Sequence, residues 1–216
     1  MKKIILLGDS ICYGYQQYVT DALKSMAEVI YPKVNAAFAE NLLRFVNIWK
    51  DEEKLPEDAD VVHFNVGLWD VLRIYGDDVL TPPEYYEQLL PRIFKRLSLL
   101  FPKAKIIFAT STSVIEEDYE PPYQRYNADI LKLNEIAKKV LIPLGAYIDD
   151  LYEATRNIPK GDARRSDMTH FSTAEGVKFV GEKVVENICD TLGLRIAETK
   201  KINGEEARAS EKFIRN

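Results

Sequence analysis

The sequence is poor in cysteine and histidine, and this scarcity excludes several classes of protein. Its 216 residues include two cysteines, Cys12 and Cys189, and two histidines, His63 and His170. Two cysteines do not make the disulfide framework of a small secreted domain, which favours a reducing, cytoplasmic location. Two distant histidines and two distant cysteines also do not supply the converging ligands that a metal site needs. We therefore predict a cytoplasmic protein without a metal site.

The chain also lacks an excess of positive charge, a long apolar run and a glycine-rich phosphate loop. The net charge of -5 at pH 7 gives no electrostatic reason to expect a nucleic acid or an anionic membrane as partner. No stretch approaches the roughly 18 apolar residues of a membrane helix. The apolar run after Lys3 is interrupted by Asp9 and is too short for a secretion signal. No Gly-x-Gly-x-x-Gly loop follows the first predicted strand, so we expect no nucleotide cofactor and predict no cofactor at all.

What remains is the composition of an ordinary globular protein. Hydrophobic residues make up 46% of the chain and charged residues 29%, which argues against disorder. The length suffices for one sizeable core. We predict one domain over residues 1–195 and a charged tail over residues 196–216, which could be a loosely packed helix, a partner contact or disordered. The oligomeric state stays open, with a homo-oligomer as one alternative.

Short apolar runs alternate with longer helical patterns along the chain. This alternation predicts a parallel sheet covered by helices on both faces, a three-layer α/β/α architecture with five strands. Thr81-Pro82-Pro83-Glu84 and Ser172-Thr173-Ala174-Glu175 are typical of helix starts, with Thr81 and Ser172 as the predicted N-caps. A further helix is predicted from Tyr123 to Leu141. The predicted strands cover Lys3 to Gly8, Glu28 to Val34, Asp60 to Val66, Lys105 to Thr110 and Gly145 to Asp149.

Two short motifs at opposite ends of the chain indicate chemistry when they are taken together. Gly8-Asp9-Ser10 follows the first predicted strand, and Asp167-Met168-Thr169-His170 precedes the last predicted helix. A serine hydroxyl is a poor nucleophile until a base takes its proton, and the base needs an acidic partner that orients it. We predict Ser10 as nucleophile, His170 as base and Asp167 as the orienting acid. Loops at the carboxyl ends of parallel strands converge, so these segments can meet.

These motifs resemble those of the SGNH hydrolases, also called the GDSL lipase/esterase family, over most of residues 3 to 190. The family pattern begins with a nucleophile in Gly-Asp-Ser and ends with Asp-x-x-His, which match Ser10, Asp167 and His170. The resemblance implies a flavodoxin-like fold and a serine esterase acting on small acyl esters. Its implied substrate is a small molecule, with O-acetyl groups on a carbohydrate as the first choice.

The middle family blocks differ in this chain. Within Asn35-Ala36-Ala37-Phe38-Ala39-Glu40, Glu40 or, as an alternative, an alanine stands where the family has its oxyanion glycine. Trp69, in Gly67-Leu68-Trp69-Asp70, stands where the family has an oxyanion asparagine. The resemblance then implies that the backbone N–H groups of Ser10, Glu40 and Gly67 hold the oxyanion. Loss of one such donor typically costs about 10² to 10³ in turnover unless another group replaces it. Asn65 and Asn41 are alternative donors.

Further residues near the predicted rim complete the candidate site. As substrate-binding residues we predict Asp9, Tyr13, Asn65, Trp69 and Asp70. Tyr15, Tyr75 and Tyr119 could, with Tyr13 and Trp69, stack on sugar rings or simply line the core margin. Arg73, Arg164 and Arg165 could steer an anionic substrate or be solvated surface charge. His63, inside a predicted strand, is interpreted as a core residue.

Two other functions stay open. An acyl-thioesterase or lysophospholipase would use the same three residues with an elongated apolar channel. A carbohydrate- or ester-binding protein with weakened catalysis is the second alternative, and Trp69 in place of the asparagine is the feature that favours it.

Overall fold

The structure is a computed structural model, and it describes residues 1–196. The predicted tail, apart from Ile196, lies outside these residues. The division into a domain over residues 1–195 and a separate tail therefore stays a prediction. The described part of the chain forms seven β-strands and six α-helices, which we number in chain order.

Five strands form one parallel sheet at the centre of the molecule. They are β1 (Lys2–Leu7), β2 (Ala27–Ile30), β3 (Val61–Phe64), β5 (Lys105–Ala109) and β7 (Tyr147–Asp149). Their order in the sheet is β2-β1-β3-β5-β7. The last four residues of β1, Ile4 to Leu7, are all almost completely buried. Continuous burial on both faces of a strand is expected when helices cover both faces of a parallel sheet.

Helices cover the two faces and make the three-layer α/β/α architecture that the sequence predicts. α1 packs on α6, whereas α2 packs on α3 and α3 packs on α4. The α1–α6 contact depends on Gly181, because a Cβ there would lie 2.4 Å from the Tyr18 ring. The helices are α1 (Ser10–Leu23), α2 (Ala39–Glu52), α3 (Pro83–Leu100), α4 (Asn127–Leu141), α5 (Leu151–Thr155) and α6 (Ala174–Leu192).

The segment from residue 115 to residue 127 differs from the prediction. Tyr123–Gln124 forms β6, which pairs antiparallel with β4 (Arg73–Ile74), and α4 begins only at Asn127. The predicted helix from Tyr123 was therefore wrong in its first turn. The Asn127 side chain bonds the backbone N–H and C=O of Val114, both at distances near 3 Å. These long-range contacts outweigh the local helical pattern.

Two helix starts are shifted by one residue from their predicted positions. The N-cap of α3 is Pro82 rather than Thr81, whose side chain instead bonds Asp70. The N-cap of α6 is Thr173 rather than Ser172, and its hydroxyl accepts from the Gly176 N–H at 3.0 Å.

The strand order places a crevice at the carboxyl ends of β1 and β3. After β1 the chain continues to β2 on one side, and β3 then pairs with β1 on the other side. Loops that leave neighbouring strands in opposite directions open a crevice at that edge, which is where open α/β sheets bind ligands. Ser10 follows β1 and Trp69 follows β3, so both lie at this edge.

Candidate active site

Ser10 is held at the junction between β1 and α1. It is the first residue of α1, and Asp9 caps this helix by accepting from the Ile11 N–H at 2.9 Å. Gly8 permits the tight approach of the loop after β3, because a Cβ there would lie 2.0 Å from Asn65 Oδ1. The Ser10 hydroxyl is thereby presented at a helix N-terminus, where backbone N–H groups lack intrahelical partners.

His170 and Asp167 reach Ser10 from the other end of the chain. The distance from Ser10 Oγ to His170 Nε2 is 2.8 Å, and that from His170 Nδ1 to Asp167 Oδ2 is 2.9 Å. If Nδ1 carries the ring proton and donates it to the carboxylate, Nε2 is free to accept the Ser10 proton. This arrangement has the hydrogen-bond order of a serine–histidine–acid triad.

The Asp167 carboxylate is stabilised in its charged form. Burial by itself would raise its pKa, but hydrogen bonds from the His170 ring and from the N–H groups of Thr169 and His170 lower the pKa to about 2. Each of those N–H groups lies 2.7 Å from Oδ1. The carboxylate is therefore ionised at neutral pH and turns the Nδ1–H of His170 toward itself.

The three predicted oxyanion donors lie in the segments that follow β1, β2 and β3, which are neighbours in the sheet. Ser10 opens α1, and Glu40 is the second residue of α2, so both N–H groups belong to first helical turns. The Glu40 carboxylate accepts from the Tyr85 hydroxyl at 2.9 Å. Gly67 follows β3 with φ of +138°. Whether these groups hold an oxyanion stays a prediction.

A wide cavity opens over Ser10 and His170, with a volume of about 1220 Å³. Trp69 and Tyr119 line it, together with Asp167. The short β4–β6 pair contributes Ile74 and Tyr123 to the far wall. The cavity wall is a mixture of apolar, aromatic and charged side chains, which suits a small polar molecule better than a long alkyl chain.

Four of the predicted substrate-binding residues do not reach this cavity. Asp9, Tyr13, Asn65 and Asp70 are all buried, and none of them belongs to its wall. Asp70 holds the start of α2, since its two carboxylate oxygens lie 3.1 and 3.2 Å from the Ala39 N–H. Burial raises the pKa of Asp9 and raises that of Asp70 to about 6. These residues therefore lie outside the cavity wall, and their part in substrate binding stays a prediction.

The asparagines proposed as replacement donors are engaged within the protein. Asn41 donates to the Ala36 carbonyl at 2.9 Å, and Asn65 bonds the Asp9 carboxyl beneath Ser10. Trp69 is only partly buried and faces the cavity. The position at which the sequence resemblance implies an asparagine thus holds an aromatic side chain.

The three arginines singled out from the sequence have different environments. Arg73 pairs with Asp129 at 3.1 Å and Arg164 pairs with Asp162 at 2.8 Å. Arg165 alone lines the cavity, where it is 9% exposed.

Arg125 is a cavity residue that the sequence analysis missed. Its Nε donates to the Leu68 carbonyl, and it lies in the same cavity wall as Ser10. No local pattern marks it, because it falls inside the segment that was predicted to be helical.

The remaining aromatic residues divide between core and surface. Tyr15 is buried, whereas Tyr75 is 87% exposed. His63 is a core residue, as predicted, and its Nε2 lies 3.0 Å from Asp149 Oδ2. Burial raises the pKa of the Cys12 thiol to about 12, so it stays protonated at neutral pH. In the described part of the chain, no group of three or more His, Cys, Asp or Glu side chains is placed to hold a metal ion.

Comparison with known proteins finds similar solved structures, whereas the comparisons by sequence find no match. No protein-family model matches the chain, and no curated protein matches it. A lipase/acylhydrolase from Enterococcus faecalis is similar with a TM-score of 0.68 and 21% identity, over 94% of this chain and 100% of that one. The chain therefore shares its fold with this lipase/acylhydrolase.

Acetylxylan esterases have this fold too. AlAXEase, an acetyl xylan esterase, has a TM-score of 0.64 and 21% identity, covering 86% of this chain and 99% of its own. The acetylxylan esterase of Geobacillus stearothermophilus has a TM-score of 0.65 and 17% identity, over 90% and 95% of the two chains. The five-stranded parallel sheet with flanking helices is thus shared along almost the whole length of these proteins. Across residues 1–196, none of the helices is both long enough and apolar enough to span a bilayer.

Proposed function

We propose that this protein is a serine esterase of the SGNH hydrolase type that removes small acyl groups, with O-acetyl groups on a carbohydrate as its substrate. The observation that carries the proposal is the chain of hydrogen bonds from Ser10 Oγ through the His170 ring to Asp167, at 2.8 and 2.9 Å. The fold shared with acylhydrolases and acetylxylan esterases supports it.

The proposed reaction has two steps, acylation of Ser10 and hydrolysis of the acyl-enzyme, and His170 Nε2 accepts the proton in both. Ser10 Oγ attacks the ester carbonyl carbon while its proton passes to His170 Nε2, and the C–O bond to the alcohol then breaks as that alcohol takes the proton from Nε2. Water next gives a proton to Nε2 and attacks the acyl carbon. Ser10 Oγ leaves with that proton, which releases the carboxylic acid.

The proposed oxyanion site rests on backbone groups alone. The N–H groups of Ser10, Glu40 and Gly67 would donate to the carbonyl oxygen as it becomes negative. Because Trp69 offers no amide at the fourth position, we expect slower turnover than an enzyme with the asparagine would have, by up to about 10² to 10³.

The cavity favours a short acyl group and a polar alcohol. Its volume of about 1220 Å³ exceeds the need of an acetyl ester and leaves room for sugar rings beside Trp69 and Tyr119. Aromatic faces with polar edges suit such rings. The mixed polar and charged wall, which includes Arg125 and Arg165, does not favour the alkyl chain of a lysophospholipid or a long-chain thioester.

The alternative of a binding protein with weakened catalysis rests on Trp69 alone. It predicts the same ligands but no turnover that depends on Ser10. The decisive experiment is hydrolysis of p-nitrophenyl acetate and of acetylated xylo-oligosaccharides by the wild type and by Ser10→Ala, followed by a screen of acyl-thioesters.

We expect Ser10→Ala to lose at least about 10³ in kcat/KM, because triad nucleophiles carry losses of that size or more. The matched control is Ser98→Ala on α3, whose hydroxyl bonds only the Phe94 carbonyl. It should keep wild-type rates. If Ser10→Ala kept more than about a tenth of the wild-type turnover, Ser10 would not be the nucleophile.

A further inference from the structure

The wall of the active-site cavity carries an arginine, Arg125, that forms no salt bridge within residues 1–196. The Arg125 guanidinium donates from Nε to the Leu68 carbonyl at 2.6 Å and from Nη1 to the Tyr119 hydroxyl at 3.3 Å. Both acceptors are neutral. In the part of the chain that the structure describes, no carboxylate forms a salt bridge with Arg125.

The two hydrogen bonds hold the guanidinium but leave donors for a ligand. A guanidinium has five N–H donors in a fixed planar fork. Two of them are engaged with Leu68 and Tyr119, and the others have no partner within residues 1–196. A hydrogen bond fixes Tyr119 in turn, because its hydroxyl lies 2.6 Å from Oγ1 of Thr169. Thr169 is the residue that precedes His170. Arg125 is thus attached to the loop that follows β3 and, through Tyr119, to the loop that carries His170.

A second arginine adds positive charge to the same wall. Arg165 is 9% exposed, and its N–H groups bond Ser113 and the Ile158 carbonyl rather than a carboxylate. Three of its five N–H donors are used in these bonds, and the nearly complete burial of its side chain leaves it to act on the cavity mainly through its charge.

The acidic residues of the cavity do not neutralise this charge. Asp118 pairs with Lys160, and Asp167 pairs with His170. Glu120 lies exposed in the same wall, and it forms no salt bridge within the described residues. The buried Asp9 interacts electrostatically with Arg125, which lowers the pKa of Asp9, but the two side chains form no salt bridge. A partly buried guanidinium with free donors and no carboxylate in contact is suited to bind a carboxylate in bidentate fashion.

We infer that the substrate of this site is an ester that also carries a carboxylate, and that Arg125 is the residue that binds this carboxylate and selects for it. The inference rests on the proposed esterase function and narrows its substrate class. Arg125 is separate from the Ser10–His170 relay in this role, since its donors face a group of the substrate that does not react. The carboxylate could belong to the acyl part of the ester or to the alcohol part.

The test compares esters that differ only in one charge. For the alcohol side the pair is 3-acetoxybenzoate and its methyl ester, and for the acyl side it is 4-nitrophenyl hydrogen adipate and 4-nitrophenyl methyl adipate. We expect the wild type to prefer the charged member of one pair in kcat/KM, and that pair identifies the side. Arg125→Gln should lower kcat/KM for this charged ester by about 10- to 100-fold, the usual size of a hydrogen bond to a charged group. The neutral ester should change less than about threefold.

Two further variants separate recognition from folding. Arg125→Lys keeps the charge and should retain part of the preference. The matched control Arg44→Gln removes an arginine on α2, whose guanidinium lies over the Phe45 ring, and should change neither member of a pair. Equal losses on the charged and the neutral ester in Arg125→Gln would overturn the inference and leave Arg125 a structural residue.

A binding measurement tests the inference without turnover. Calorimetry measures the binding of both members of each ester pair to Ser10→Ala, which cannot turn them over. In one pair the charged ester should bind more tightly than its neutral methyl ester. This difference in affinity should be lost in the Ser10→Ala, Arg125→Gln double variant. If the wild type hydrolyses neutral esters through Ser10 and neither assay shows a charge preference, only this inference fails. If no ester is hydrolysed but the Arg125-dependent binding is present, the proposed catalysis fails and the carboxylate site stands.

Discussion

Asp70 should make this protein less stable as the pH rises from acid to neutral. Its side chain is completely buried beneath the site, and burial raises its pKa from an ordinary value of 3.8 to about 6. Hydrogen bonds from Thr81 and the Ala39 N–H oppose this rise, and the nearby Asp9 adds to it. A carboxyl group with a raised pKa binds a proton more tightly in the folded state, so its contribution to stability is largest below its unfolded pKa and is lost as the pH rises through its folded pKa.

The size of the effect follows from the two pKa values. Linkage with values of about 3.8 unfolded and about 6 folded removes about 2 kcal/mol of unfolding free energy between about pH 4.5 and pH 7.5. Asp70→Asn places a neutral side chain of the same shape at this position. It keeps one acceptor for the Ala39 N–H and has no titration in this range. The wild type should therefore lose stability relative to Asp70→Asn by about 2 kcal/mol over that interval.

Urea unfolding of both proteins at pH 4.5, 6 and 7.5 measures this difference. Both proteins contain the other buried carboxyls, Asp9 and Asp149. Their contribution to the pH dependence of stability therefore cancels when the two proteins are compared at the same pH. Asp51→Asn, on the exposed end of α2, is the matched control and should show no such trend relative to the wild type. A difference between wild type and Asp70→Asn that stays constant within about 0.5 kcal/mol over this range would refute the raised pKa of Asp70.

Three further substitutions test the local geometry. Gly67→Ala should cost roughly 2 kcal/mol or more in urea unfolding, because the backbone has φ of +138° and the new Cβ would lie 2.4 Å from Ser111 Oγ. Wild-type stability would show that this loop can rearrange. Gly14→Ala should raise the unfolding free energy by about 0.5 to 1 kcal/mol, since Gly14 lies inside α1 and a Cβ there meets nothing within 4 Å. A loss of stability would contradict the open space. Trp69→Asn should shift preference among acetyl, butyryl and longer p-nitrophenyl esters and raise turnover on acetate; unchanged rates on all of them would place Trp69 outside the ester site.

Local patterns were sufficient for most of the fold. The four aliphatic residues of β1 can be buried together only in a strand covered on both faces, and alternating strands and helices leave few topologies other than a parallel sheet. All five predicted strands occur in the sheet, although β2, β3 and β7 are each two or three residues shorter than expected. The sequence motifs also identified Ser10, Asp167 and His170, because each lies in a short local pattern beside a predicted element.

The geometry of the site depends on contacts between distant segments, and only the tertiary structure shows it. Ser10 and His170 are 160 positions apart, and only the folded loops bring their side chains to 2.8 Å. Arg125 lines the cavity because it precedes α4 instead of lying inside a helix that was predicted to begin at Tyr123. The hydrogen bonds between the Asn127 side chain and the Val114 backbone fix this segment.

The burial of the Asp9 and Asp70 carboxyls likewise depends on tertiary contacts. Their motifs placed both residues near the nucleophile but did not show which way their side chains point. Periodicity and local motifs therefore determined the elements of this protein and indicated the residues that we propose to react. The walls of its cavity, and the charge that they present to a substrate, were set by packing between segments that no local pattern connects.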